Sequence, residues 1–481
     1  MSAVAPRSLR RGPGRGRTAA RPSDGGSPLV FAERMILASD RRSAPLLVGL
    51  VAETDGTLDA GALRAAAAEV YARHPELAAP LADRAGARGW APPAGPHPVL
   101  LDEFTAADGE VWPAGSWLLS MPFDLLGPAA IRLMVVRRAG GDALAMVAHH
   151  LRLDGRSLLT LFTEVLGAVP SSAATPSAAF APAAFAPAAS APAAGGRPRR
   201  PVSRPKAPRR WSCALGRAGR RAVSDRLGLR ARHVVPTGTA GAVGYGQYAL
   251  SVPVPVLPAG DGPRPTANDQ LLAATHLAVE RWNGLHGRRT GALRVRMPTS
   301  APSAGAEAGG TLGNHTSQAV IASSPGDRAD PAGLARRVAE QTARVKAQGA
   351  SAAAGRSGAV AAAVAAVVPG RAQAMILRAA VGGARSVLAP AATVSNVGRP
   401  PADLSLGPDG PKVVATYFLG TAGPPQGLMI CVARDRAALR ITFGYHLAVL
   451  DDVGIVAFAR VFREAMDDVR SGLLPDQEPA S

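Results

Sequence analysis

Residues 145–159 have the sequence "AMVAHHLRLDGRSLL". An apolar run with strand character ends here on two adjacent histidines, and an aspartate and a glycine follow before a helical pattern begins. Because side chains alternate faces along a strand, His150 shares a face with Ala148 whereas His149 lies on the opposite face. Only one of the two imidazoles can therefore point into a given cavity.

The two histidines have a chemical and a structural interpretation. A neutral imidazole in a cavity is a good general base, because its pKa lies near physiological pH. Asp154 is close enough to brace the turn or to pair with an arginine, and Gly155 permits tight backbone geometry before a helix that starts at Ser157. In the structural interpretation, both histidines only end a buried strand and hydrogen-bond to the backbone.

The positive charge of the chain is concentrated in two segments. The 481 residues carry a formal net charge of +19, and most of it comes from residues 1–28 and 197–234, the second of which holds thirteen Lys or Arg against one Asp. Neither segment interleaves aromatic side chains with its arginines, as a platform for nucleic-acid bases would. The charge therefore predicts solvated segments, and no nucleic-acid partner is expected.

Composition divides the chain into five parts. We predict a disordered basic tail at 1–28, an ordered α/β lobe at 29–169, a linker at 170–244 that is first Ala/Pro-rich and then basic, a second lobe at 245–472, and a tail at 473–481.

Strand and helix patterns alternate in both ordered parts, which favours a two-lobed α/β architecture. In the first lobe we predict a helix capped by Asp59 that ends before Pro75, two strands and a helix. In the second lobe we predict a capped helix, a helix that starts at Pro331, strands, and a last helix. The predicted strands and helix around the histidine pair are 131–137, 143–150 and 157–166.

The chain shows no sign of export or of a membrane span. The two cysteines, Cys213 and Cys431, cannot form a disulfide framework or a metal cluster and suit a reducing compartment. The longest unbroken apolar run, 359–368, is far too short to cross a bilayer. We therefore expect a cytoplasmic protein without a transmembrane segment.

The sequence "HHLRLDG" at 149–155 resembles the His-His-x-x-x-Asp-Gly motif of the CoA-dependent acyltransferase superfamily. This group includes chloramphenicol acetyltransferase-like enzymes, condensation domains of nonribosomal peptide synthesis, polyketide-associated acyltransferases and wax ester synthases. Further stretches are similar to the superfamily as well: "MPFDLLGPAAIRLMVV" before the motif, the "RHPEL" helix end, "TANDQLLAA", "TLGNHTS", "TVSNVG" and "GYHLAVLDDVG".

The resemblance implies a fold and a reaction. The fold would be α/β, with two chloramphenicol acetyltransferase-like lobes in a V-shaped pseudodimer around a central tunnel. An acyl thioester on CoA or on a phosphopantetheinyl carrier protein would react with an amine or alcohol acceptor. His150 would be the general base, with no acyl-enzyme, no bound cofactor and no metal.

The resemblance also assigns roles to other residues. His149 and Asp154 would be mainly structural, and Gly155 would shape the channel. We expect the donors that stabilise the developing oxyanion to lie near the site, with Ser395 and Asn396 as candidates; the alternative is that these two only cap a loop or end a strand.

The resemblance also suggests partners for Asp154 and for the basic segment 197–234. In relatives the motif aspartate pairs with an arginine of the second half, and Arg294 and Arg296 are the candidates here. The basic segment 197–234 is a candidate docking site for an acidic acyl or peptidyl carrier protein.

The sequence leaves three functions open. We favour a stand-alone condensation-type acyltransferase of natural-product or lipid biosynthesis. A wax ester synthase or diacylglycerol acyltransferase-like enzyme is the second, and the Ala/Val-rich segment 357–380 would then be an apolar surface. The third is a non-catalytic condensation-like protein that recruits partners, although both histidines are retained. His276, within a predicted helix, is expected to be a packed core residue.

Overall fold

The computed structural model describes residues 27–84, 87–106, 118–170, 233–254, 264–300, 312–347, 389–401, 404–407, 410–435 and 438–474. The predicted carrier-docking segment 197–234 of the linker, Cys213, the segment 357–380 and most of both tails lie outside these residues.

The described elements alternate between strands and helices along both halves of the chain. The strands are β1 (Ser27–Pro28), β2 (Leu47–Thr54), β3 (Leu81–Arg84), β4 (Ala87–Trp90), β5 (Leu101–Thr105), β6 (Ile131–Arg137), β7 (Ala143–His149), β8 (Tyr245–Pro253), β9 (Leu293–Ser300), β10 (Thr316–Ser323), β11 (Ala392–Gly398), β12 (Val413–Gly420), β13 (Leu428–Arg434) and β14 (Ala438–His446). The helices are α1 (Phe31–Ser39), α2 (Ala60–Arg73), α3 (Gly155–Gly167), α4 (Ala267–Leu285), α5 (Pro325–Arg328), α6 (331–347) and α7 (Asp452–Ser471), with a 3₁₀ turn at Pro75–Ala78.

The first sheet has the strand order β12-β2-β7-β6-β5, and only its β5–β6 pair is parallel. All seven residues of β7 are buried. Leu144, Met146 and Ala148 lie in the core under α2 and α3, whereas Ala145 and Val147 lie in the core on the opposite face. Burial on both faces explains why this strand has a continuous apolar sequence that ends only at the histidines.

The second large sheet has the strand order β10-β9-β11-β13-β14-β8. Helices α4, α6 and α7 pack on one of its faces and contribute the largest hydrophobic core of the described residues. The apolar stripe of α7, which includes Ile455, Phe458 and Phe462, is fully buried there. Each such side chain contributes about 1.5–3 kcal/mol by leaving water, so this face fixes the orientation of the helices.

Strand β12 joins the two halves, and its position differs from the predicted division of the chain. It belongs by sequence to the second lobe, yet it pairs antiparallel with β2 at the edge of the first sheet. Thr421, directly after β12, accepts a hydrogen bond from the Leu47 backbone (2.8 Å) and donates one to the Pro45 carbonyl (2.8 Å). Pairing between residues so distant in the chain leaves no local sequence signal.

Most predicted elements are confirmed. Asp59 caps α2, which ends at Arg73 before Pro75, and α4 begins at the Thr266 cap. Strand β7 is one residue shorter than predicted, because the chain turns after His149. A third, small sheet of order β1-β4-β3 was not predicted.

Candidate active site

The motif forms the turn between β7 and α3. His149 is the last residue of β7, and its register partner on β2 is Leu47. The backbone of His150 is held from both sides: its N–H donates to the Leu46 carbonyl (2.9 Å), and its carbonyl accepts from Asn314 Nδ2 (2.6 Å). Segments from both halves of the chain therefore fix the position of this residue.

His149 is directed into the protein, with 1% of its surface exposed. Its Nδ1 accepts a hydrogen bond from the Leu151 N–H (3.1 Å), so the imidazole proton lies on Nε2, which faces Asp40 Oδ1 at 3.3 Å. Burial raises the pKa of Asp40, but the contact with His149 and the Leu46 N–H outweigh it and leave that pKa lowered. Both nitrogens of His149 therefore face protein groups, which fits the predicted structural role.

His150 has the opposite tautomer and a different exposure. Its side chain is half-buried, and Nδ1 lies 3.1 Å from the Leu153 carbonyl. A carbonyl can only accept, so Nδ1 carries the proton and Nε2 keeps its lone pair. Burial lowers the pKa of His150, while the Leu153 carbonyl and the Asp154 carboxylate act in the opposite direction. Among the described residues, no group hydrogen-bonds to Nε2, so the neutral imidazole presents a free base.

Asp154 caps helix α3. Its Oδ1 accepts from the backbone N–H groups of Arg156 (3.1 Å) and Ser157 (2.9 Å), the arrangement of a helix N-cap. Because the positive end of the helix dipole lies here, a carboxylate is favoured at this position. Helix α3 therefore starts at Gly155, two residues before the predicted start.

The second oxygen of Asp154 binds the turn 312–316, which comes from the other half of the chain. Oδ2 accepts from the His315 N–H (3.0 Å) and the Thr316 hydroxyl (3.1 Å), and the Asp154 N–H donates to the Gly313 carbonyl (3.1 Å). This turn is the "TLGNHTS" segment, which also supplies the Asn314 contact to His150. A single carboxylate thus holds the helix, the histidine turn and the distant turn together.

The predicted arginine partners of Asp154 need a correction. Arg294 and Arg296 lie within β9, where they pair across to Ala322 and Val320 of β10. The hydrogen-bonding partners of Asp154 in the described part of the chain are backbone amides and the Thr316 hydroxyl instead. The physical reason is its position: the backbone N–H groups at the start of α3 occupy Oδ1, and the N–H and hydroxyl of the turn 312–316 occupy Oδ2.

Gly155 lies where three elements meet. A Cβ added at this position would be 2.8 Å from Phe418 Cζ on β12 and 3.0 Å from Val397 Cγ1 on β11. Those distances are too short for a side chain, so the glycine lets both strands pack directly against the motif turn.

Ser395 and Asn396 lie on β11, immediately before Val397. Ser395 is largely buried beside Cys431 of the parallel strand β13, whereas Asn396 is exposed and its Oδ1 accepts from the Gly398 N–H (2.8 Å). Gly398 has a φ of +87°, which suits a tight turn. In the described part of the chain neither side chain hydrogen-bonds to the motif, so their role in stabilising an oxyanion stays a prediction.

Arg152 is a motif residue that the sequence did not single out. Its guanidinium stacks 3.8 Å above the Trp90 ring and donates to the Glu76 carbonyl (3.0 Å) and to the Ala79 carbonyl. Burial lowers its pKa to about 10, against the attraction of Glu33 and Glu76. It ties the turn to the 3₁₀ turn and to β4, and the only sequence signal is its place inside the motif.

His315 belongs to the turn 312–316 that binds Asp154, whereas His446 and His276 lie on β14 and α4. His315 is exposed, and His446, at the end of β14, is buried against Tyr245 with a ring-centroid distance of 5.1 Å. His276 is fully buried in α4, as predicted. The described residues contain no cluster of three or more His, Cys, Asp or Glu that could hold a metal. Among them, no helix combines the length and the apolar character needed to cross a membrane.

Comparisons with known proteins identify the fold. No family model and no curated protein matches the chain. Among solved structures, the starter condensation domain of rhizomide synthetase, in complex with C8-CoA and Leu-SNAC, is 14% identical with a TM-score of 0.57 and covers 94% of this chain and 96% of that chain. The first condensation domain of the calcium-dependent antibiotic synthetase, with a substrate analogue, is 17% identical with a TM-score of 0.55 and covers 94% and 98%.

A third similar structure is a domain of a different type. The epimerization domain of the third module of tyrocidine synthetase B is 14% identical with a TM-score of 0.52 and covers 94% of this chain and 97% of that chain. The chain therefore has the mixed α/β fold of condensation domains, which confirms the predicted fold class; the V-shaped arrangement and the tunnel stay predictions. Because condensation and epimerization domains share the fold, the fold alone does not select the reaction.

Proposed function

We propose that this protein is a condensation-type acyltransferase that transfers an acyl group from a thioester to an amine or alcohol acceptor. The donor is CoA or a phosphopantetheinyl carrier protein, and the biosynthesis of a natural product or lipid is the setting. The single observation that carries the proposal is the tautomer of His150. Its Nδ1–H is held by the Leu153 carbonyl, and its Nε2 lone pair has no protein partner among the described residues.

The chemistry follows from that lone pair. Nε2 accepts the proton of the acceptor N–H or O–H while the acceptor atom attacks the thioester carbonyl carbon. The tetrahedral intermediate collapses, the C–S bond breaks, and the imidazolium returns its proton to the departing thiolate. No acyl-enzyme forms, because the histidine moves only the proton. The lowered pKa keeps the imidazole neutral near pH 7, so the base form is the resting form.

The surroundings support positioning for this step. The turn is fixed by Leu46 and Asn314 on the backbone of His150, and by the cap and the cross-link of Asp154. A base held in one orientation reacts without the entropy loss that a mobile side chain would suffer. Docking of an acidic carrier protein on 197–234 remains part of the proposal, although this segment lies outside the described residues.

The test is a product assay on the full chain and on His150→Ala. Acyl-CoA and acyl-carrier thioesters are combined with amine and alcohol acceptors, and products are detected by mass spectrometry. We expect a new amide or ester that the variant fails to form while its circular dichroism spectrum stays unchanged. Equal turnover by both proteins would exclude His150 as the base.

The same assay separates the other candidate functions. Loss of stereochemical purity in an aminoacyl thioester, without acyl transfer, would indicate epimerization. Product formation only with long-chain alcohols would favour the wax ester synthase alternative. Tight carrier binding without turnover of any pair would favour the recruiting protein.

A further inference from the structure

The turn 312–316 is held against the first half of the chain by hydrogen bonds, and one of them leads outside the motif. Within the described part of the chain, residues 313–316 bind to residues 150–157, and the Gly313 N–H donates to Ser157 Oγ (3.3 Å). The first residue of the turn differs, because the Leu312 N–H donates to Glu76 Oε1 (3.3 Å) in the 3₁₀ turn after α2. Glu76 thus connects the turn to a part of the first half that the motif does not include.

The surroundings of Leu312 explain why its N–H needs this acceptor. Leu312 is 7% exposed and belongs to the hydrophobic core under α2 and α3. A backbone N–H that loses its partner at a buried residue costs free energy. The Glu76 side chain is half-buried, and its carboxylate is a stronger acceptor than a neutral oxygen. The start of the turn is therefore fixed by a side chain of the first half.

The backbone of Glu76 binds the motif from the other side. Its carbonyl accepts from Arg152 Nη1 (3.0 Å), and Arg152 follows His150 by two positions. The next residue, Leu77, is fully buried in the same core, so the 3₁₀ turn is a firm support. Glu76 therefore binds both segments that hold His150, the motif through its carbonyl and the distant turn through its carboxylate.

A cluster of charged groups orients the Glu76 carboxylate. His74 Nδ1 lies 3.4 Å from Glu76 Oε1, and His74 Nε2 lies 2.9 Å from Glu164 Oε2 on α3. Arg73, the last residue of α2, extends the cluster, because its Nη2 lies 3.9 Å from the same oxygen of Glu164. The carboxylate that accepts from the turn is therefore placed by a histidine that also contacts α3.

We infer that Glu76 is a positioning residue for acyl transfer, which holds the turn 312–316 and through it the backbone of His150. The inference rests on the proposed function and deepens it, because it adds a residue that acts on the base only through other groups. The link from the turn to the base is Asn314, whose Nδ2 donates to the His150 carbonyl (2.6 Å). A displacement of about 1 Å can lower the rate about 10²-fold, so a group that prevents it contributes to kcat.

Two variants of the full chain differ only in whether residue 76 keeps a side-chain acceptor. Glu76→Gln retains an oxygen that can accept from the Leu312 N–H, whereas Glu76→Met has a similar length and no such oxygen. In the product assay we expect kcat of Glu76→Met to fall about tenfold, with KM changed by less than about twofold. Glu76→Gln should keep most of the wild-type kcat. Rescue by the glutamine separates positioning by the acceptor from a general effect of the substitution.

Hydrogen exchange measured by mass spectrometry tests the anchoring without any substrate. We expect the backbone amides of 312–316 to exchange faster in Glu76→Met than in wild type, and at the wild-type rate in Glu76→Gln. Strand β14, buried in the second sheet, should exchange equally in all proteins. Glu69→Gln is the matched control, because Glu69 is an exposed carboxylate of α2 that pairs with Arg73 (2.9 Å). It removes an equal charge and should change neither kcat nor the exchange of the turn.

The two measurements separate failure of this inference from failure of the proposed function. Equal losses of kcat in both Glu76 variants, a change confined to KM, or unchanged exchange at 312–316 in Glu76→Met would overturn the inference. Global unfolding of Glu76→Met in thermal melting would also overturn it, because Glu76 would then support the whole fold. If wild type forms no product, the proposed function fails, but faster exchange confined to the turn would still support anchoring by Glu76. Product formation with identical exchange in all variants would do the reverse.

Discussion

His150 is half-buried and can be reached by a ligand, whereas His276 is fully buried and cannot. In both, burial is the main cause of a lowered imidazole pKa, which for His276 falls to about 3. His276 lies in α4 with no exposed surface, and its Nδ1 is 2.8 Å from the Ser323 hydroxyl. That hydroxyl also accepts from Arg328 Nη1 (2.9 Å).

The surroundings of His150 and His276 differ in whether a substrate can reach the imidazole nitrogen. His276 and Ser323 are the residue types of a nucleophile and its general base. Helix α4 and the second sheet nevertheless seal this pair from any substrate. At His150, no hydroxyl of the described residues hydrogen-bonds to the imidazole, and the Nε2 lone pair remains at a half-buried side chain. Access and tautomer, rather than the presence of reactive residue types, therefore mark the candidate active site.

The largest expected effect is on turnover. His150→Ala should lower kcat by about 10²–10⁴-fold, the usual contribution of a general base. His276→Ala should leave kcat per folded molecule nearly unchanged, because no substrate reaches it. Rates are normalised to the folded fraction from circular dichroism. A comparable loss of kcat in both variants would break the comparison.

Stability should respond in the reverse order. His276→Ala removes the imidazole partner of the Ser323 hydroxyl and leaves a cavity in a sealed core, which should lower the free energy of unfolding by about 3 kcal/mol. His150→Ala removes one half-exposed hydrogen bond and should lower it by about 1 kcal/mol or less. Urea denaturation measures both values, and an equal loss in the two variants would contradict the assigned burial.

Acid sensitivity sharpens the contrast. The pKa of His276 is about 3 in the folded state, below its usual value of about 6.5. Between these two pH values the folded state therefore binds fewer protons than the unfolded state. The contribution of neutral His276 to the free energy of unfolding is fully present above pH 6.5. It is lost as the pH falls toward 3, at about 1.4 kcal/mol per pH unit. His276→Gln should remove this slope relative to wild type. Parallel stability curves between pH 6 and 4 would exclude a neutral buried His276.

The smallest effect should come from Asp154→Asn. The amide oxygen can still cap α3, but the amide nitrogen cannot accept from the His315 N–H. We expect a loss of about 1 kcal/mol in stability and a several-fold loss in kcat, because the turn 312–316 is released from the motif. Asp59→Asn, a change at the cap of α2 far from the motif, is the matched control. Equal kcat in both variants would show that the cross-link does not position His150.

Much of the fold around the site could be predicted because its signals are local. The apolar sequence of β7, the helix that follows the motif and the apolar stripe of α7 each depend on residues within a few positions of one another. Alternating faces and helix periodicity determine these features without reference to the rest of the chain. The separation of the faces of His149 and His150 followed from the same rule.

The partners of polar groups could not be predicted in this way. The sequence predicts an arginine as the partner of Asp154, but in the described part of the chain its donors are the start of α3 and the turn 312–316. Asp40, which faces His149, and Asn314, which holds the His150 carbonyl, were not identified as members of the site. A hydrogen bond needs only a nearby donor. A chain of this length contains many possible donors, and the sequence does not show which of them the fold brings close.

A strand, a histidine pair and a helix after it, in a mixed α/β fold, could thus be predicted from the sequence alone. The tautomer of each histidine, the cap of α3 by Asp154 and the pairing of β12 with the first sheet emerge only from the three-dimensional fold. The physical reason is range. Backbone conformation depends on neighbours along the chain, whereas protonation and hydrogen-bond partners depend on which distant groups the fold brings within hydrogen-bond distance.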